Sequence, residues 1–208
     1  MAGLSVDRCS SMPSPRRTGV IFFPTADRPD VYRKGHIGIG IALYAPVAFW
    51  LASVDLMGAF GVGLVCVTFV SYAPDFDVWL PLVAHRGATH TVLAAVLVSL
   101  AIAGGSVALG VQSGLIASSP GAMGTTGGFV VGVTLLGYLG HLAGDALTPM
   151  GIRPFRPVSN RRYSLDLVTA SNETANTAFA TVGTLALSGA LVLGVDFQDG
   201  VVDVVAAI

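Results

Sequence analysis

The sequence predicts an all-α protein, a polytopic membrane helical bundle with about five transmembrane helices. Of its 208 residues, 53% are hydrophobic and only 11% are charged, whereas about a quarter of an ordinary soluble domain is charged. The mean hydropathy is +0.73. Long stretches carry no charge, and the basic residues fall in only some of the segments between them. This composition argues against a soluble globular enzyme.

Each span is predicted from a run without charged residues that is long enough to cross the hydrocarbon core, which takes about 18 residues or more. The first two runs are separated by Asp55 alone, which predicts a tight helical hairpin. The run 91–140 holds two spans, with a turn in its Gly/Ser/Pro-rich stretch 110–121. The predicted spans are about 37–54, 56–73, 91–109, 122–141 and 175–195.

Five spans place alternate connecting segments on opposite sides of the membrane. All eleven basic residues then fall on one side, and the other side carries only acidic residues. The positive-inside rule predicts a multi-pass protein of the inner or plasma membrane, with its N-terminus in the cytoplasm and its C-terminus outside. The basic residues are Arg8, Arg16, Arg17, Arg28, Arg33, Lys34, Arg86, Arg153, Arg156, Arg161 and Arg162.

Three regions follow from this topology. Residues 1–33 are polar and lack helical periodicity, which predicts a disordered cytoplasmic extension; a second hypothesis is that translation begins at Val31. Residues 34–197 form the membrane-embedded domain, and 198–208 form a short acidic tail. Cys9 and Cys66 are far apart in sequence and form no metal-ligand spacing, which excludes a disulfide framework.

All four histidines lie at or near the cytoplasmic end of a predicted span, and three aspartates lie at the same level. His141 and Asp145 share one helix face because they are four residues apart. Imidazole and carboxylate together suit Zn²⁺, Mn²⁺ or Fe²⁺. Interfacial histidines and a polar helix stop are the alternative explanation for each residue alone. The seven residues are His36, Asp75, Asp77, His85, His90, His141 and Asp145.

Four sequence blocks resemble the YdjM-like family of predicted membrane-bound, metal-dependent hydrolases. They are Gly35-His36, PDFD at 74–77, HRGATH at 85–90 and GYLGHLAGDALTPMG at 137–151, and the resemblance spans 35 to about 158. The ligand pattern is also distantly similar to that of zinc-dependent phospholipase C and P1-type nucleases. Family members often carry a histidine where this chain has Val78, which leaves the number of metal ions open.

The resemblance implies roles for individual residues. The divalent metal, zinc or manganese, has its best ligands in His36, Asp75, His90, His141 and Asp145. Asp77 and His85 are further ligands or support a ligand. Arg86 could clamp a phosphate group, while Thr89 and Thr148 could orient a carboxylate or the attacking water. The implied substrate is a lipid or another phosphoester at the membrane surface.

The net charge and the positions of the charged residues bear on the other function classes. A net charge of −1 offers no general attraction for nucleic acid, and uncharged spans argue against an ion-conducting path. A non-catalytic protein with a structural or sensing metal site stays open, as does an adaptor that binds a cytoplasmic regulator through the basic segment 153–162. The arginines of that segment are expected to set topology and to contact anionic lipid headgroups. The oligomeric state is not determined by the sequence.

Overall fold

The computed structural model describes residues 29–79 and 86–206. Within them the chain folds into five α-helices and one 3₁₀ helix, which confirms the predicted all-α class. An isolated antiparallel bridge joins Ile152 to Tyr163. The elements are α1 (Pro29–Ser53), α2 (Met57–Val70), the 3₁₀ helix (Ala73–Trp79), α3 (Val92–Gln112), α4 (Pro120–Ala146) and α5 (Glu173–Ala206).

Among the described residues, four helices are long and apolar enough to cross a membrane: α1, α3, α4 and α5. The second predicted span is the exception. With 14 residues, α2 is about 21 Å long at 1.5 Å per residue, which is shorter than a hydrocarbon core of about 30 Å. The chain nevertheless returns to the starting end of α1 through α2, so α1 and α2 form the expected hairpin.

Two helices extend beyond the boundaries of the predicted spans. The helix α1 begins at Pro29, so the end of the segment predicted to be disordered is helical. A proline is well tolerated in the first turn of a helix, where its missing N–H has no partner to lose. The remainder of that segment, 1–28, lies outside the described residues. At the other end, α5 continues through the described part of the acidic tail to Ala206.

The helices pack around two apolar clusters. In the first, Tyr44 and Leu51 of α1 meet Val67 of α2 and Val133 of α4, and the Tyr44 hydroxyl donates a 2.8 Å hydrogen bond to the carbonyl of Phe60. The second cluster joins α2, α3 and α4 near the opposite end of α2. Because α4 contacts α1, α2 and α3, and α1 contacts α2, α4 and α5, these two helices form the centre of the bundle.

The chain order brings four helix ends together at one end of the bundle. These are the starts of α1 and α3 and the ends of α2 and α4. The start of α3 is fixed by Thr91, whose side chain accepts a 3.0 Å hydrogen bond from the Ala94 N–H, a typical N-cap. After α4, the chain folds back, and the carbonyl of Pro154 accepts a 2.8 Å hydrogen bond from the Val92 N–H. The predicted site residues that the structure describes all belong to this end.

Candidate metal centre

Four potential ligand atoms converge where the helix ends meet. The Nε2 atoms of His90 and His141 are 3.2 Å apart. Oδ1 of Asp75 lies 3.4 Å from the first and 3.5 Å from the second. Oδ2 of Asp145 lies 3.3 Å and 3.5 Å from the same two nitrogens. The side chains therefore come from the loop that precedes α3, from the 3₁₀ helix and from the end of α4.

Five of the six distances among these four atoms fall in the range expected for tetrahedral coordination. Zinc binds imidazole nitrogen and carboxylate oxygen at ~2.0–2.2 Å, and a tetrahedron of that radius has edges of ~3.3–3.6 Å. The five edges given above are 3.2–3.5 Å. His90, His141 and Asp145 lie close enough together to share one ion, and Asp75 lies beside both histidines.

The protonation of His141 follows from its neighbours. Its Nδ1 lies 2.9 Å from the carbonyl oxygen of Ser71, at the end of α2. A carbonyl can only accept a hydrogen bond, so Nδ1 carries the proton and donates it. In the neutral imidazole the lone pair is then on Nε2, the atom that faces the cluster. A main-chain contact from α2 therefore prepares His141 to be a ligand.

Asp77 and Thr89 give His90 the same protonation. The Thr89 hydroxyl donates a 2.6 Å hydrogen bond to Oδ2 of Asp77, and its oxygen lies 3.0 Å from Nδ1 of His90. Oδ2 of Asp77 is itself 3.3 Å from that nitrogen. Since the Thr89 proton is already donated, Nδ1 of His90 must carry the hydrogen. Asp77 therefore supports a ligand, one of the two roles expected for it.

The cluster is left with unshared electron pairs that face one another. Oδ2 of Asp145 is buried and accepts no hydrogen bond from the described residues. A proton on one Nε2 would remove the lone-pair repulsion between only two of these atoms. A divalent cation could accept lone pairs from several of them. With neutral imidazoles, the carboxylates of Asp75, Asp77 and Asp145 outnumber the one nearby guanidinium, and buried charge of this kind needs compensation. The donor set fits a divalent metal ion.

Arg86 is bound to Asp145 and Thr148. One terminal nitrogen lies 2.7 Å from Oδ1 of Asp145, and the other donates a 3.0 Å hydrogen bond to the Thr148 hydroxyl. That hydroxyl in turn donates to the carbonyl of Asp145. Arg86 adopts a left-handed backbone conformation with φ of 58°, which is uncommon for a residue with a side chain. Its guanidinium orients Asp145 so that Oδ2 faces the two histidines.

His36 lies at the margin of the cluster. Its ring stacks on that of His141, with 4.2 Å between centroids. Its Nε2 is 3.7 Å from Oδ1 of Asp145, the oxygen that Arg86 holds. The buried Nδ1 has no hydrogen-bond partner in the described structure. His36, Asp75 and His141 form a second group whose ligand atoms are close enough to share an ion.

Solvent reaches the cluster at Asp75. The side chains of His90 and Asp77 are 0% exposed and that of Asp145 is 1% exposed, but that of Asp75 is 30% exposed. Asp75 is therefore the most exposed of the four candidate ligands.

The structure brings together six of the seven residues predicted as ligands. The seventh, His85, lies outside the described residues. The three residues expected to act on substrate or water, Arg86, Thr89 and Thr148, are also present at the site. Each of them contacts a ligand or the partner of a ligand. These residues lie together in the described part of the chain, and their roles as ligands stay a prediction.

Two contacts of the site are missing from the sequence-based prediction. One is the main-chain carbonyl of Ser71, and no side-chain pattern marks it because every residue has a carbonyl. The other is the hydroxyl of Tyr138, which donates a hydrogen bond to the carbonyl of Thr89. Tyr138 lies three residues before His141 on α4, and a tyrosine at that spacing is no distinctive signal in an apolar helix. Both contacts depend on how the helices pack.

The sequence model of a protein family described as "YdjM inner membrane protein" matches residues 32–202, most of the chain. The match confirms the YdjM family that the four sequence blocks indicated, and the hydrolase activity implied by the resemblance stays a prediction. No curated protein and no solved structure matches the chain. The similarity to zinc-dependent phospholipase C and P1-type nucleases therefore stays a prediction.

Proposed function

The chain belongs to the YdjM inner membrane protein family, and we propose that this multi-pass membrane protein is a metal-dependent hydrolase. Its buried His/Asp cluster binds a divalent cation, with zinc the best fit and manganese the alternative. The substrate is a phosphoester held at the membrane surface, such as a lipid. The orientation expected from the basic residues puts the site at the cytoplasmic face.

The observation that carries the metal proposal is the spacing of the four ligand atoms. Two imidazole nitrogens and two carboxylate oxygens lie 3.2–3.5 Å apart along five edges, and both nitrogens direct lone pairs inward. Two nitrogens with two oxygens suit zinc better than magnesium or calcium, which prefer oxygen ligands alone. The buried, unpartnered Oδ2 of Asp145 supports the same proposal.

Hydrolysis is supported by the exposed edge of the cluster. A bound zinc ion lowers the pKa of its water to about 7 and so supplies a nucleophile at neutral pH. Water reaches the cluster beside Asp75, whose carboxylate can accept a proton there. Asp77 and Thr89 hold His90, and Arg86 holds Asp145. We assign Asp77, Thr89 and Arg86 positioning roles, because each contacts a ligand or its partner.

The second candidate is a structural or sensing metal site. It is favoured by the number of protein ligands, since four protein ligands in a closed shell are typical of structural zinc. The two candidates differ at Asp75: a hydrolase needs water beside this partly exposed side chain, whereas a structural site needs only the carboxylate.

Metal content tests whether the cluster binds a divalent ion. The detergent-purified protein is loaded with zinc, passed over a desalting column and analysed for zinc by elemental analysis. We expect about one ion per chain in the wild type and almost none in a His90→Ala, His141→Ala variant. An Asp196→Asn, Asp199→Asn variant, changed at the far end of α5, is the control and should keep its zinc. A folded wild type without zinc or manganese would overturn the metal proposal.

Turnover tests whether the metal-loaded protein is a hydrolase. The zinc-loaded wild type and Asp75→Asn are compared on phospholipid vesicles and on a generic phosphodiester, with zinc content measured on the same samples. A hydrolase predicts release of product by the zinc-loaded wild type and little release by Asp75→Asn. Stoichiometric zinc without release of product from either substrate would favour the structural site.

A further inference from the structure

We propose that the segment 150–165 between α4 and α5, here called the basic loop, binds the headgroups of anionic phospholipids in the leaflet on its own side. The proposal is independent of the metal site and of any hydrolase activity. It rests on the charge of the loop, on its exposed apolar side chains and on its fixed conformation.

The charge of the loop is positive and uncompensated. The loop contains four arginines and no acidic residue. None of the four pairs with a carboxylate among the residues that the structure describes. Arg156 donates a 3.0 Å hydrogen bond to Asn160, and Arg161 lies 5.5 Å above the ring of Tyr163. Arg153 and Arg162 are exposed, so their guanidinium groups are available to phosphate.

Apolar side chains project between these cations. Val158 is 95% exposed, Leu165 is 63% exposed and Phe155 is 48% exposed. In water, such side chains would be unfavourably hydrated, but at the boundary of a bilayer they reach the upper acyl chains while the arginines stay at headgroup level. Alternating apolar and cationic side chains are therefore suited to a lipid surface.

The conformation of the loop is fixed by the main chain. Ile152 and Tyr163 exchange hydrogen bonds of 3.0 and 2.8 Å, and the Ser159 N–H donates a 2.9 Å bond to the carbonyl of Phe155. The Val92 N–H, at the start of α3, donates a 2.8 Å hydrogen bond to the carbonyl of Pro154. Since α4 and α5 are both candidate spans, the connection between their ends, residues 147–172, lies at the membrane surface. The arginines are thus presented there without a large cost in ordering the chain.

A lipid headgroup fits this surface better than free phosphate does. Both ligands would pair with the arginines, but free phosphate offers nothing to Val158 and Phe155. A phospholipid supplies the anion and the adjoining hydrocarbon at once. Each arginine near an anionic surface contributes about fivefold to the binding constant.

Quenching by brominated lipids tests the proposal. A Val158→Cys variant, in a background with Cys9→Ser and Cys66→Ala, is labelled with an environment-sensitive fluorophore and placed in zwitterionic nanodiscs. These contain a minor fraction of brominated lipid, either phosphatidylglycerol or phosphatidylcholine. We expect several-fold stronger quenching by the anionic lipid. The same label at Leu115, in the uncharged loop at the other end of α3, is the control and should be quenched equally by both lipids.

Arg153→Gln with Arg162→Gln removes two exposed charges without touching the hydrogen bonds of the loop. At about fivefold for each arginine, this loss should bring the quenching by the two lipids close to equal, while Arg153→Lys with Arg162→Lys should keep most of the preference. Equal quenching at position 158 by both lipids in the otherwise unchanged loop would overturn the proposal. So would an anionic preference that the glutamine variant retains, or that free phosphate abolishes at millimolar concentration.

Discussion

The carboxylate of Asp77 offers the sharpest test of the metal centre, because it contacts a ligand without being one. Asp77→Asn keeps the size of the side chain and removes its charge. In the wild type, Oδ2 accepts from the Thr89 hydroxyl at 2.6 Å and lies 3.3 Å from Nδ1 of His90. An amide oxygen in that place is a weaker acceptor, so the imidazole becomes a poorer ligand.

Loss of such a supporting group costs about 10–100-fold in metal affinity, or about 1.4–2.7 kcal/mol. The effect on stability follows by mass action. At free zinc about 1,000 times the wild-type Kd, binding stabilises the wild type by about 4.1 kcal/mol, and the variant by only about 1.4–2.7 kcal/mol. Zinc affinity is measured by competition with a chromophoric chelator, and stability by thermal unfolding with and without zinc.

Asp55→Asn is the matched control. Asp55 lies in the exposed turn between α1 and α2 with φ of 57°, a conformation that asparagine tolerates well, so neither zinc affinity nor stability should change. An Asp77→Asn protein with wild-type zinc affinity would refute the assignment of His90 as a ligand supported by Asp77. Unfolding of the metal-free variant would show that Asp77 is needed for the fold instead.

Three further substitutions test other contacts. Arg86→Gln removes the partner of buried Asp145 and should destabilise the metal-free protein by about 3–5 kcal/mol; added zinc should recover part of the loss, and equal melting of both proteins without zinc would contradict the contact. Gly38→Ala would drive a Cβ into the carbonyl oxygen of Phe179 on α5 and should cost about 1–3 kcal/mol, whereas Gly124→Ala, which faces open space, should cost nothing in thermal unfolding. Thr91→Val removes the N-cap of α3 and should lower stability by about 1 kcal/mol, and an unchanged melting temperature would show that the cap contributes nothing.

The sequence predicted the helices well and their ends less well, for one physical reason. Missing charges mark where a chain lies in hydrocarbon, not where a helix begins and ends. Outside the bilayer a helix can carry charge, as α5 does at Asp196, Asp199 and Asp203. The predicted fifth span therefore stops at 195 while the helix continues to Ala206.

The sequence predicted which residues would lie near one another at the site. It did not predict which of them face the cluster and which support a ligand. Polar residues at one membrane level were expected to meet, and they do. Asp75 and Asp77 are two residues apart in a 3₁₀ helix, where side chains three apart share a face. They must point in different directions, and only the tertiary structure shows that Asp75 faces the cluster while Asp77 reaches the far side of His90.

The glycines of α4 determine how closely the site residues approach. A Cβ at Gly137 would lie 2.8 Å from the carbonyl of Val67, and one at Gly140 would lie 3.1 Å from the Cα of Gly40. One at Gly144 would lie 2.5 Å from Nδ1 of His36. These glycines let α1 and α2 approach the backbone of α4 directly, as small residues do in membrane bundles.

This close approach of the helices also determines the chemistry of the site. The carbonyl of Ser71 reaches His141 only because α2 lies against α4, and the ring of His36 stacks on His141 only because α1 does. Glycines elsewhere on α4, at Gly124 and Gly128, have no such neighbours. The glycines that are typical of membrane helices therefore also allow the side chains of the candidate site to approach one another. The candidate ligands lie on helices whose approach these glycines allow, so we expect a side chain at Gly137, Gly140 or Gly144 to displace them.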